Sequence, residues 1–152
     1  MVKEGGGARL AHNVYFNRPG LALVNWDPES KVVRTEWQGW ADPDEFIAVL
    51  MAAVRALEEH PRSRGLVDSR RQKVVQQSDQ DWVNRNWFPR ALASGMTRLA
   101  VIVPESGIAL LNIKEVLSRV PGTELDVAYF ATPEEANAWL TGPPSKPPAV
   151  VH

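Results

Sequence analysis

The side chains best able to do chemistry crowd into one stretch, RGLVDSRRQKVVQQSDQDWVNRNWFP, from Arg64 to Pro89. Arg62, Arg64, Arg70, Arg71 and Lys73 surround one acid, Asp68. Arginine forks make bidentate contacts with phosphate or carboxylate, so the cluster could receive a phosphate, a lipid headgroup or an acidic partner. The other reading has Asp68 pairing with Arg70 or capping the turn, in a loop that is simply solvated. Further on, Trp82 and Trp87 lie five residues apart. That is about 140° around a helix, so they do not share one narrow stripe. Val83 and Trp87 do share a face. Trp82 then falls at the edge of that face or outside it, where an amphipathic ring suits a pocket lip or a protein interface. Packing under a neighbouring loop or the tail is the alternative.

Other chemistry is sparse. The three histidines, His12, His60 and His152, lack metal-ligand spacing. His60 closes a helix before Pro61, where the helix dipole or water would meet it. No G-x-S-x-G elbow, P-loop or G-x-G-x-x-G occurs. There is no cysteine, hence no disulfide, thiolate metal site or cysteine nucleophile. The carboxylates fall mostly at helix caps and on exposed faces. The expectation is a protein with no catalytic residues, metal or cofactor. The enzymatic alternative is a hydrolase or isomerase using acids around the loop, Asp68 foremost.

The totals agree with a small soluble domain. The chain has 152 residues, 44% hydrophobic and 23% charged, with a net charge of −1. That charge draws it neither to nucleic acid nor to an anionic membrane, and the basic cluster lacks adjacent stacking platforms for single strands. The start, MVKEGGGARLAHN, has no apolar segment of a secretory signal. No apolar run approaches the roughly 20 residues that span a bilayer. The expected setting is the cytoplasm.

The elements that must position the loop follow from periodicity and turn residues. Strands are predicted over Asn13–Arg18, Leu21–Trp26 and Lys31–Trp37, separated by RPG and DPES. Val33, Thr35 and Trp37 share one face of the third; Arg34 and Glu36 share the other, so one face is covered and one partly wet. Asp42, Pro43 and Glu45 open a helix carrying Phe46, Ile47, Leu50, Met51, Val54 and Leu57 at helical spacing. Gly65–Asp68 is a short strand, and a helix starts at Ser78 and ends or kinks at Pro89. RLAVIVP from Arg98 is a strand covered on both faces. Ser106 caps a helix with Leu110, Ile113, Leu117 and Val120, then comes the strand Glu124–Phe130. Thr132, Pro133 and Glu135 open the last helix. The predicted fold is α/β, with order β-β-β-α-β-α-β-α-β-α: an antiparallel meander leading into a mixed sheet with helices packed on it. Residues 1–12 and the proline-rich 142–152 are read as loose ends, and 13–141 as a single domain.

In that order, and in EWQGWADPDEF, GLVDSR, DWVNRNWFP and FATPEEANAWL, the chain resembles the SpoIIAA-like proteins, relatives of STAS domains. The resemblance implies a domain that acts by binding. Some relatives antagonise anti-sigma factors and are switched by phosphorylation of a serine opening the helix after this same loop. Ser78 holds that position here, in VVQQSDQD. Gln76, Gln77 and Asp79 replace the residues around it, and a phosphate there would meet the carboxylates of Asp79 and Asp81. The expected function is a non-catalytic binding or regulatory module. It would act by protein–protein contact at residues 68–88, with Asp68, Arg70, Arg71, Trp82 and Trp87 on the working surface. The partner is a protein or a second copy of the chain. The alternative is a carrier or sensor of a small apolar or lipid-like ligand between sheet and helices.

Overall fold

A computed structural model of the protein describes residues 13–72, 76–103 and 125–142. Turn chemistry sets out the first strands, β1 (Val14–Arg18), β2 (Ala22–Asp27) and β3 (Val32–Trp37). Gly20 takes a φ of +85° between β1 and β2, a conformation glycine adopts without steric cost. Asp27 stitches the next turn by accepting from the Glu29 N–H at 3.0 Å and the Ser30 hydroxyl at 2.7 Å. A Cβ at Gly39 would collide with the Gly20 carbonyl oxygen. Glycine at 39 therefore lets the chain leaving β3 close against the β1–β2 turn.

Helix α1 (Pro43–Glu59) starts as its sequence predicts. The Glu45 N–H donates to Asp42 Oδ1 at 2.8 Å and the Asp42 N–H donates to Glu45 Oε1 at 3.0 Å, a complete capping box. Its buried residues are Phe46, Val49, Ala52, Ala53, Val54, Ala56 and Leu57. The predicted stripe is thus rotated: Val49 and three alanines face inward, while Ile47, Leu50 and Met51 are only half-buried. Small side chains let the helix lie close to the sheet. Leu50 and Met51 lie on the flank turned toward the following helices, where Trp87 and Arg90 reach them.

Strand β4 (Arg64–Asp68) leads through a loop to α2 (Gln77–Trp82). A π-helical turn over Val83–Trp87 follows, then α3 (Phe88–Ala93). The Phe88 N–H donates to the Val83 carbonyl. Pro89 explains the wide turn: it has no N–H, and its ring would crowd the carbonyl one regular turn back. The sequence reading of a kink or stop at Pro89 becomes a continuous helical path with one widened turn. Strands β5 (Arg98–Ile102) and β6 (Asp126–Phe130) and helix α4 (Pro133–Thr141) complete the described elements.

The molecule is α/β. Six strands stand in chain order, β1 to β6, antiparallel through β3 and parallel from there on. One sheet face, with Val24, Val33, Trp37, Leu99 and Val101, packs on α1 and the α2–α3 path. The other carries Val32, Leu66, Ala100, Ile102, Ala128 and Phe130 under Ala136 and Leu140 of α4. All five residues of β5 are buried, as a strand covered on both faces must be. No described helix is long and apolar enough to cross a membrane. The predicted helix capped by Ser106, Lys73, and residues 1–12 and 143–152 lie outside the described residues.

Candidate functional site

Parallel strands end in the same direction, and ligands of α/β sheets gather outside the carboxyl ends of such strands. Here β3 and β4 pair so that Glu36 lies opposite Asp68. Side chains alternate along each strand. Val32 and Leu66 lie under α4, and Arg34 Nη2 donates to Asn137 Oδ1 of α4 at 3.3 Å. Glu36 and Asp68 therefore project on the α4 face, at its upper rim. An open pocket of about 240 Å³ lies there, lined by Glu36, Trp37, Asp68, Arg70 and Arg71.

The floor of this pocket is a closed ion pair. Arg70 Nε donates to Asp68 Oδ1 at 3.0 Å, and Nη2 donates to Oδ2 at 2.6 Å. The Arg70 N–H also donates to Oδ1, at 3.2 Å. Asp68 is buried and the Arg70 side chain is half-exposed. The guanidinium pKa is raised, first by its hydrogen bond to Asp68 and further by the fields of Asp68, Glu36 and Glu134. Behind the pair, the Ser69 N–H donates to the Ile102 carbonyl at 3.0 Å, which pins the loop to β5. Of the two readings of the basic cluster, pairing within the loop describes Asp68 and Arg70. Arg71 is different: it is exposed and makes no hydrogen bond or ion pair among the described residues.

The other residues singled out from sequence separate. Trp87 is 6% exposed, and its Nε1–H donates to the Leu50 carbonyl at 2.8 Å. It is a core side chain that also meets Phe88 edge-on, with ring centroids 4.9 Å apart. Trp82 is half-buried against the same core. Ser78 is exposed in the first turn of α2, but it does not cap the helix. Gln76 holds the cap position and makes no side-chain cap bond. Asp79 beside it is buried, and desolvation raises its carboxyl pKa. The gap between sheet and helices beside Trp87 measures about 10 Å³, too little for an acyl chain. Among the described residues no cluster of three or more His, Asp or Glu side chains could hold a metal ion.

Two pocket residues escaped the sequence reading. The alternation in β3 puts Glu36 on the face opposite Val33, Thr35 and Trp37, but only the β3–β4 register sets it beside Asp68. Trp37 is a core residue, 3% exposed and stacked on Phe46 at 5.5 Å, and it also lines the pocket. Trp40, three residues further, is 60% exposed. It follows the carboxyl end of β3 just as Arg71 follows that of β4.

A second polar cluster lies at the C-terminal end of α1. The Tyr15 hydroxyl donates to Glu59 Oε1 at 2.6 Å. A phenol has one proton, so the 3.0 Å contact with His60 Nε2 is a bond donated by the histidine. Trp26 stacks on the His60 ring with centroids 3.6 Å apart. Its Nε1–H donates to Ser63 Oγ, which in turn donates to the His60 carbonyl. His60 therefore meets aromatic rings and a phenol where the dipole or water was expected. Burial, the Glu59 hydrogen bond and the Glu59 charge push the Tyr15 phenol up to about 12.

The unfolded phenol ionises near pH 10, so between about pH 10 and 12 the unfolded chain loses this proton before the folded one does. Tyr15 therefore contributes stability that is complete below pH 10 and disappears as pH rises through 12, on the order of 1 kcal/mol after solvent screening. Tyr129, raised by its own burial, loses stability in the same direction. The Tyr15 share is the part of the alkaline fall in urea midpoint that Tyr15→Phe removes. An unchanged alkaline slope in that variant would contradict the assignment.

Compared with known proteins, the chain matches no family model, no curated protein and no solved structure.

Proposed function

We propose that this protein is a non-catalytic binding or regulatory module of the cytoplasm. Its contact surface is the end of the sheet where β3 and β4 terminate, and its partner is a protein or a second copy of the chain. One observation carries the reading: exposed Trp40 and exposed Arg71 follow the carboxyl ends of adjacent parallel strands, and Arg71 lines a polar pocket with an internally neutralised floor. Tryptophan and arginine are the residue types that most often dominate the energy of protein interfaces. Exposed Ser78 lies in the first turn of the helix that follows this end of the sheet, and the resemblance to SpoIIAA-like proteins favours binding over turnover. Asp68 is poorly suited to acid–base chemistry because both its oxygens are engaged by Arg70.

The test is association. Sedimentation of the purified protein over a range of concentrations, with crosslinking capture from its native lysate, should reveal a dimer or a defined partner. Trp40→Ala combined with Arg71→Ala should weaken that association at least about tenfold with little change in melting temperature, because exposed side chains contribute little to folding. Association of undiminished strength in the double variant, or none in the wild type, rejects this surface.

A further inference from the structure

The charges around the pocket do not favour a simple anion. Asp68 and Arg70 cancel each other through a two-pronged pair. Glu36 lies across the ladder from Asp68 and adds to the field on Arg70, yet its side chain makes no hydrogen bond or ion pair among the described residues. Arg71 lines the same space and is also without a hydrogen bond there. No ion pair joins Glu36 to Arg71. An anion alone would gain Arg71 but approach the Glu36 and Asp68 carboxylates. A cation alone would gain Glu36 but approach two guanidinium groups. A small molecule carrying both charges satisfies both side chains. The volume, about 240 Å³, is below the ~300–1,000 Å³ of drug-sized pockets and suits one amino-acid-sized molecule.

From this arrangement we infer that the pocket binds a small zwitterion of the free amino acid class, with its carboxylate on Arg71 and its ammonium on Glu36. The Asp68–Arg70 pair is the fixed floor beneath it, and Trp37 completes the lining. Glu36 accepts from the ammonium, and Arg71 donates to the carboxylate as a fork. The inference deepens the binding-module reading by naming a ligand for the same end of the sheet, and it rests on that reading.

Amide NMR shifts and calorimetry test it with free L-serine, L-glutamine and L-arginine. Each is run beside its N-acetyl form, which lacks the ammonium, and its carboxamide, which lacks the carboxylate. At least one free amino acid should move the amides of residues 36–40 and 68–72. Both derivatives of that amino acid should bind about tenfold more weakly or worse, as loss of a charge-assisted bond implies. Glu36→Gln and Arg71→Gln, which keep shape, should each do the same. N-acetyl forms binding as well as the free amino acid would make this a plain anion site, and equal binding of carboxamides a cation site; either overturns the inference. So does the absence of any shift at these residues. Such failures leave the association assay with Trp40→Ala and Arg71→Ala untouched, so the two readings fail separately.

Discussion

Replacing Trp87 by alanine is expected to lower the unfolding free energy by about 3–5 kcal/mol, the range for emptying a buried aromatic site. Trp87 closes the π-helical turn, fills the space between α1 and the sheet, and spends its indole N–H on the Leu50 carbonyl at 2.8 Å. Trp87→Phe should cost less, about 1–2 kcal/mol. The ring is largely retained, and one hydrogen bond is lost to a carbonyl within α1. Trp40→Ala, at a site 60% exposed, should change stability by no more than about 0.5 kcal/mol. Urea unfolding of the three variants gives the ranking. If Trp87→Ala is as mild as Trp40→Ala, the indole does not hold α1 to the sheet. The contrast also separates two roles that tryptophan plays in one short chain, because only the exposed ring is free to meet a partner.

That distinction shows what the sequence could and could not convey. Local signals were sufficient for the meander, for the Asp42–Glu45 box and for the buried run of β5, because each depends on neighbours in sequence. The inward face of α1 was displaced by the alanines, whose weak hydrophobic signal hides how closely they let a helix approach a sheet. Trp87 shares a face with Val83, as their spacing predicts, but that face is buried in the core, and its four-residue spacing alone does not say whether a partner or the protein's own sheet covers it. The candidate site was half legible. Asp68, Arg70 and Arg71 stand together in the sequence, and pairing of Asp68 with Arg70 is a local contact. Glu36 belongs to a strand on the far side of α1, and its place beside Asp68 is a matter of β3–β4 register. Tyr15 and His60 meet for the same kind of reason, since β1 lies beside the end of α1 only in the folded sheet.

The second large effect is expected at Arg98, which the apolar run around it marked only as the edge of a strand. It is 5% exposed at the start of β5, on the face covered by α4. Its Nη1 donates to the Trp139 carbonyl at 2.7 Å and to the Gly142 carbonyl at 3.2 Å. The guanidinium also lies 5.3 Å from the Trp139 ring centroid. A cation held against the last carbonyls of a helix satisfies orphaned acceptors and complements the helix dipole. Arg98→Met keeps the aliphatic stem and removes the donors, and should cost about 2–3 kcal/mol. The consequence should travel along α4. Its far end bears Glu134, which acts on Arg70, and its middle bears Asn137, which accepts from Arg34. Loosening α4 at Arg98 should therefore raise amide exchange throughout residues 133–142 and weaken the field of Glu134 on Arg70 at the pocket. Arg98→Lys, which retains a charge but not the fork, should fall between wild type and Arg98→Met. Unaltered exchange in α4 with a loss below about 0.5 kcal/mol would mean that the helix is held by Ala136 and Leu140 alone. In that case the pocket's geometry would be independent of the far end of the sheet.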